Sequence, residues 1–339
     1  MKKDMKTKII AHDQVDCFND LAQFMSESEA LYNSRPTTPE AHLGLLKLFF
    51  NEQSKFIIIE EEHKILACAT ITTVPNYPAV CFIGNYHLPI NYKNREDIKK
   101  SLFQAVYHYC SNLQMKDIVG PINYNTWLSN RFIYPAVSIQ HFWEPINPNE
   151  YPEDFLAENF EIDKKFFSYF MPTIDDMHVL KPAYDIALNQ GYRFSPIDIS
   201  DKEHQKILFQ LNCECFNENY FYTPISFEQY KDSILNSIKG MDLSYCRFIE
   251  NDERKWGYIF GIPDNHQIII KTILVSPLTR SKGLGSTLIF EMLDRAKKDG
   301  FTEMVGALIR EGNASQFFIK RSSKPYQINE YLLFKKVLK

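Results

Sequence analysis

The chain has 339 residues, with 38 Lys and Arg against 42 Asp and Glu, so a net charge near −4 supplies no global attraction to nucleic acid or to an anionic membrane. That length is generous for one core and comfortable for two domains, and an apolar fraction of 45% is enough to bury both. No apolar run approaches a membrane span, and the first residues turn polar before a signal-like segment forms. The expectation is a soluble, cytoplasmic protein with no membrane or nucleic-acid partner.

Cysteines stand at 17, 68, 81, 110, 213, 215 and 246, an odd number scattered through apolar contexts. They read as reduced, buried thiols. Cys213 and Cys215 form one Cys-x-Cys with no second ligand pair nearby, and the histidines show no metal-type spacing, so no metal is expected.

In chain order, "KFIIIEEEHKILACATITT" (55–73) reads as strand, charged turn, strand, and "AVCFIGNYHL" (79–88) as a further strand. A loop and the helix "DIKKSLFQAVYHYCSNL" (97–113) follow, then "DIVGPIN", a short strand carrying Val-Gly. Prolines and acids interrupt the pattern at "MPTIDDMHVLKPAYD" (171–185), which places a domain boundary there and gives domains 1–175 and 176–339. The second half repeats the order: "CRFIENDERKWGYIFGI", "QIIIKTILV", "STLIFEMLDRAKKDG", "EMVGALI". Glu60 to Glu250 is an offset of 190, and Gly120 to Gly306 one of 186, so the register barely drifts. Two α/β domains can share a rhythm by chance; the steady offset favours a tandem duplication.

Helix 286–300 is amphipathic, with Leu288, Met292 and Ala296, joined by Ile289 and Leu293, on one face. Lys297, Lys298 and Gly300 supply a cationic last turn and a stop. The strand before it is nearly continuous in apolar residues, as in a central strand covered on both faces, and Pro277 ends it. Between the two lies "SPLTRSKGLGS", a basic turn with Gly283 and Gly285. Glycines let the backbone approach a ligand, and the free N–H groups of a helix's first turn point at an anion. This is a pyrophosphate cradle in outline. A dinucleotide fingerprint needs a third glycine, and a P-loop needs Gly-Lys-Ser/Thr; neither is present.

The stretch resembles the coenzyme A loop of the GNAT acyltransferase superfamily, Arg/Gln-x-x-Gly-x-Gly/Ala after a strand ending Val-x-Pro. Arg280, Gly283 and Gly285 stand at those positions, after Val275 and Pro277. "NENYFYTPIS", "KTILVSP", "GALI" and "EYLLF", with "GPINYNTW" and "FWEPINPNEYPEDFLAENF" in the first half, are similar to segments of an uncharacterised group of bacterial tandem GNAT proteins. The resemblance implies an α/β (α+β) fold class, with two tandem GNAT-like domains, each a mixed, mostly antiparallel central sheet flanked by helices. It also implies acetyl-CoA or coenzyme A as co-substrate. Main-chain N–H groups of Arg280, Ser281, Lys282, Gly283, Leu284, Gly285 and Ser286 would bind the diphosphate. Leu274 and Val275 would hold the pantetheine arm, and Asn313 matches a GNAT asparagine that contacts it. The first domain, with "PINYKNREDIKK" and no glycine at the matching place, is not expected to hold coenzyme A in the usual way. "GPINYNTW" reads either as a cleft-lining loop or as a tight turn with Trp127 in a core.

The expected reaction is direct transfer of an acyl group, most simply acetyl, to a small-molecule or peptide amine. GNAT enzymes commonly place a tyrosine acid seven residues after the asparagine; here that position is Lys320. Tyr331 then becomes the candidate acid, with Tyr326 the other nearby phenol and a core strand residue the plainer reading of Tyr331. Glu311 is the candidate base, with the start of a helix as its plainer role. Lys271, a lysine inside an apolar strand, and Tyr222, in "YFYTP", are candidates for contact with substrate, against a snorkelling stem and a core aromatic. Two other functions stay open: a non-catalytic acyl-CoA-binding protein, and a transferase using another activated acyl donor such as aminoacyl-tRNA, which would want a basic face.

Overall fold

Thirteen strands and nine α-helices are described in a computed structural model of the chain. It describes residues 5–137, 139–141, 143–313 and 315–338, and of Arg280, Ser281 and Phe317 the backbone alone. In chain order they are β1 (Lys6–Ile10), α1 (Phe18–Glu29), α2 (Pro39–Phe49), β2 (Ser54–Glu61), β3 (Lys64–Thr73), β4 (Val80–His87), α3 (Arg95–Asn112), β5 (Asp117–Gly120), β6 (Phe132–Ile133) and α4 (Glu150–Ala157). Then come β7 (Glu161–Met171), α5 (Lys181–Asn189), β8 (Arg193–Pro196), α6 (Lys202–Phe216), α7 (Phe227–Tyr230), β9 (Arg247–Glu250), β10 (Lys255–Asp264) and β11 (Gln267–Val275). The chain ends with α8 (Leu284–Lys298), β12 (Glu303–Arg310), α9 (Gln316–Arg321) and β13 (Gln327–Val337). Local chemistry sets several starts. Thr38 accepts the Ala41 N–H ahead of Pro39, Asp201 accepts the Glu203 N–H, and Ser226 with Gln229 forms a capping box.

The chain divides into two units, Met1–Lys165 with Glu330–Lys339, and Phe166–Asn329. This departs from the expected division at 175/176 on two counts. Residues 166–171 of β7 pair with β12, and the Asp175–Leu180 turn and α5 pack on α8, so the proline-rich stretch is a bend inside the second unit. The last strand, β13, pairs with β5 and β6 and so completes the first unit's sheet. An isolated strand carries no mark of which sheet it will join, so the sequence pattern could not show the exchange.

Taken separately, the two sheets share one topology. In the first unit the order is β1-β2-β3-β4-β5-β13, with β4 and β5 parallel and the other neighbours antiparallel. In the second it is β8-β9-β10-β11-β12-β7, with β11 and β12 parallel and the rest antiparallel. Each is the mixed, mostly antiparallel sheet expected, with helices packed on it. The first core gathers Tyr86, Phe103, Phe132, Tyr151 and Phe155 around β4 and α3. The second packs Leu284, Leu288, Met292 and Leu293 of α8 onto Ile259, Ile268 and Ile270. The buried face of α8 is the one its periodicity predicted.

Candidate functional site

Two strands run side by side and then part. Gln267 to Ile270 of β11 pair in register with Glu303 to Gly306 of β12, and the ladder ends there. Beyond it β11 stays with β10, from Thr272 opposite Phe260 to Val275 opposite Gly257, while β12 continues along β7. Each strand carries an irregularity at the fork. The β10–β11 register slips between Phe260 and Gly261, which leaves Lys271 as the extra residue. The β12–β7 register slips between Gly306 and Ile309, with Leu308 at φ 53° and its N–H donated to Ser168 Oγ at 3.0 Å. An extra residue bends a strand and raises its twist, so two bulges at one level open a wedge between backbone edges 271–275 and 307–310.

The glycine turn lies at the mouth of that wedge. Residues Pro277–Lys282 wind as a short 3₁₀ turn, and Gly283 takes the left-handed conformation at φ 73°, ψ 11° before α8 begins. A side-chain-bearing residue is strained there, which accounts for the glycine. Among the described residues no side chain caps the start of α8, and its first turn holds no acidic residue. The first intrahelical bond is Thr287 N–H to the Gly283 carbonyl, 3.1 Å, so the N–H groups of Leu284, Gly285 and Ser286 precede the ladder. A Cβ on Gly285 would meet only Val275 Cγ2, at 4.0 Å, so its face is open. Uncapped N–H groups, the positive end of a helix dipole and an open glycine form a donor set suited to an anion.

Of the other expected binding residues, Leu274 is buried and Val275 half-buried, and the Val275 carbonyl accepts the Cys215 thiol at 3.5 Å. Lys282 is exposed and donates to the Tyr192 hydroxyl at 3.3 Å. The side chains of Arg280 and Ser281 lie outside the described residues. Asn313 is exposed at the turn into α9, and its Oδ1 accepts the Ser315 N–H at 2.9 Å. Glu311 is exposed in the turn just after β12, and Lys271 is half-buried at the fork. Tyr222 is half-buried between α6 and α7; burial, with the Cys213 thiol beside it, pushes its phenol well above the usual range. Lys271 thus stands at the β11–β12 fork, the glycine turn follows the end of β11, and Glu311 and Asn313 lie in the turn that follows β12.

Tyr331 is not. It sits on β13 opposite Ile133, in the first unit's sheet, and is 0% exposed. A hydroxyl enclosed in a core cannot meet a departing thiolate, so the expected acid role is withdrawn in favour of packing. Tyr326 is half-exposed and engaged with Glu303 at 3.1 Å and Gln267 at 2.6 Å.

Sequence reasoning missed Glu214 of α6. Its carboxylate accepts from the hydroxyl of Ser276, the residue joining β11 to the turn, and from Arg254 at 2.9 Å. Glutamate on a polar helix face carries no sequence signal of such a bond. Among the described residues no group of three or more His, Cys, Asp or Glu side chains is disposed to hold a metal ion, and no helix is long and apolar enough to cross a membrane.

Residues 206–321 match the model of the acetyltransferase (GNAT) family. No curated protein matches the chain. Among solved structures it is similar to a tandem GNAT protein of the clavulanic acid biosynthesis pathway, at 10% identity and a TM-score of 0.54 over 99% of both chains. It is also similar to a probable N-acyltransferase of Enterococcus faecalis, at 9% identity and TM-score 0.60, over 99% of this chain and 73% of that one. A GCN5-related N-acetyltransferase from Kribbella flavida gives 11% and 0.57, over 99% and 72%. At such identities the likeness concerns the fold, and it spans both units. The chain therefore has the fold of those tandem GNAT proteins, and the stretch 206–321 of its second unit, which holds the fork and the glycine turn, matches the GNAT acetyltransferase family model.

Proposed function

We propose that the second unit is an acyl-CoA-dependent N-acyltransferase, most simply an acetyltransferase acting on a small-molecule or peptide amine. The observation that carries the reading is the wedge between β11 and β12, opening beside an uncapped helix start with an open Gly285. N–H groups of residues 280–286 hold the diphosphate. The freed edges of Leu274 and Val275 and the side-chain amide of Asn313 hold the pantetheine arm.

Coenzyme A supplies an activated thioester. Positioning that carbonyl against a neutral amine is the main task, and a main-chain N–H at the fork stabilises the oxyanion as the amine attacks. The C–N bond forms, the C–S bond breaks, and the amine proton leaves to a base. Glu311, exposed at the end of β12, is the base we assign, acting directly or through water. Lys271, at the fork, and Tyr222 face the acceptor. No residue is assigned as the acid for the thiolate.

A second reading, a non-catalytic acyl-CoA-binding protein, draws support from Lys320 at the position of the usual tyrosine and from the burial of Tyr331. Two experiments decide. Thermal shift should show stabilisation by coenzyme A that ATP does not compete away; no stabilisation rejects both readings. Thiol release from acetyl-CoA against a panel of amines should then rise above the amine-free rate; a flat panel alongside firm coenzyme binding selects the non-catalytic reading.

A further inference from the structure

We infer that Glu214 is a positioning residue for the coenzyme loop, fixing its first turn through the Ser276 hydroxyl; the inference rests on the acyl-CoA reading of that loop. Ser276 is fully buried and stands between the last residue of β11 and Pro277. Three bonds locate it. Its N–H donates to the Trp256 carbonyl at 2.8 Å, its carbonyl accepts the Thr279 N–H at 2.9 Å, and its hydroxyl donates to Glu214. The same hydroxyl oxygen caps the turn by accepting the Leu278 N–H at 3.4 Å. A hydroxyl whose proton is committed to a carboxylate presents its lone pairs elsewhere, so Glu214 orients the cap as well as anchoring it.

Glu214 is itself held. Arg254 donates to its second oxygen at 2.9 Å and lies 4.8 Å over the Trp256 ring, and Trp256 Nε1 donates to Asn251 at 2.8 Å. On the neighbouring residue of α6, the Cys215 thiol reaches the Val275 carbonyl. Helix α6 therefore grips the end of β11 at two successive residues, 275 and 276, past the point where β12 has left it. Where a strand has lost one neighbour, side-chain bonds must replace the ladder if the amides beyond are to keep a fixed aim. The clamp is not core packing. The Glu214 side chain is 30% exposed and borders a cavity of about 650 Å³ together with Ile207, Gln210, Leu211 and Arg254. Truncating it widens that cavity and leaves the core intact.

The test measures coenzyme A affinity by calorimetry and amide hydrogen exchange over residues 276–286, in the full chain. Glu214→Ala should weaken coenzyme A about tenfold, Ser276→Ala at least as much because it also loses the Leu278 cap, and the double variant no more than Ser276→Ala alone, because both remove the Glu214–Ser276 bond. Glu214→Gln, which keeps an acceptor for Ser276, should stay within about threefold of the unsubstituted chain. Exchange should quicken over 276–286 and not along the later turns of α8. Unchanged affinity in Glu214→Ala, losses that multiply in the double variant, or no rescue by glutamine would overturn the role. If the unsubstituted chain binds no coenzyme A, the acyl-CoA reading fails, and the exchange measurement alone then decides whether Glu214 positions the turn.

Discussion

The same fork exists in both units, and only one of them leaves it open. In the second unit β11 and β12 part after Ile270 and Gly306, and the wedge faces a helix start without acidic residues. In the first, β4 and β5 pair from Val80 opposite Asp117 to Phe82 opposite Val119, and the chain then stays across the gap. The Ile122 N–H donates to the Ile83 carbonyl at 2.8 Å, and Asn123 Oδ1 accepts the Asn85 N–H at 2.7 Å. The "GPINYNTW" segment thus closes onto β4, with Ile122, Tyr124 and Asn125 buried and Trp127 half-buried. The start of α3 differs in the same sense. Glu96 and Asp97 occupy its first turn, Arg95 is spent on the buried carboxylate of Asp154, and Lys99 pairs with Glu96 at 2.7 Å and stands 3.7 Å from Asp154. Acidic side chains there satisfy the helix dipole internally and repel a diphosphate. One topology therefore carries a fork that its own backbone fills in the first unit and leaves unfilled in the second, and the proposed cradle rests on that difference.

Two glycines put that contrast to its hardest test. A Cβ on Gly84 would lie 2.0 Å from the Ile122 carbonyl oxygen, backbone against backbone, with no flexible side chain to yield. Gly84→Ala should cost about 3 kcal/mol or more of stability, read from urea unfolding. Gly285→Ala, whose Cβ meets open space, should be neutral or gain up to about 0.5 kcal/mol. Equal costs at the two positions would mean that the forks are not differently filled.

Gly285→Glu is the next largest effect, and it concerns binding. A carboxylate placed among the N–H groups of α8 mimics what Glu96 and Asp97 do at α3. Coenzyme A affinity should fall by about a hundredfold while the melting temperature holds, since the site is open. Equal binding would remove the diphosphate from this turn.

Acidification should act on the two units in opposite directions. In the first, burial holds His87 down at about 4, so the folded state takes up its proton later than an unfolded chain would. Stability is then lost as pH falls from about 6.5 to 4. Glu29 is also buried, but the bonds and charges of His42 and His87 outweigh that and hold it near 2, which extends the loss below about 4.5. In the second unit Glu291 of α8 is raised to about 7 by burial, with Asp294 adding to it and Lys298 opposing. Arg295 stands 3.8 Å away, too far to offset the burial, and Glu291 Oε2 finds no hydrogen-bond partner among the described residues. Its folded value lies above its unfolded one, so its contribution is present below about pH 4.5 and lost as pH rises through 7, by at most about 3 kcal/mol. Hydrogen exchange at pH 5 and pH 7 should show α3 less protected and α8 more protected at the lower pH. Glu291→Gln should abolish the change in α8 alone.

How much of this was legible in the sequence follows from range. Local periodicity gave the strand–turn–strand hairpins, the helix read at 286–300 and found at 284–298, and the glycine turn, because each is encoded locally. The parting of β11 from β12 was implied by a family resemblance, and no residue between 267 and 310 announces the paired bulges. The exchange of β7 and β13 between sheets was invisible, as was the contact of Glu214 with Ser276, 62 residues apart. The pairing of Arg95 with Asp154, 59 residues apart, was equally out of reach.

Tyr331→Phe carries the smallest expected effect and tests the contrast from the first unit's side. The sequence offered this phenol as a candidate acid, with a core strand residue as the plainer reading; its ring lies in a sheet core, opposite Ile133 and wholly enclosed. A buried hydroxyl contributes through its local bonds alone, so its removal should shift stability by about 1 kcal/mol or less. Thiol release and coenzyme affinity should both stay within about twofold, a change of less than 0.5 kcal/mol in either. A turnover that collapsed while coenzyme affinity and stability held would mean that β13 opens during the reaction, and the first unit would then take part in the chemistry rather than stand as scaffold.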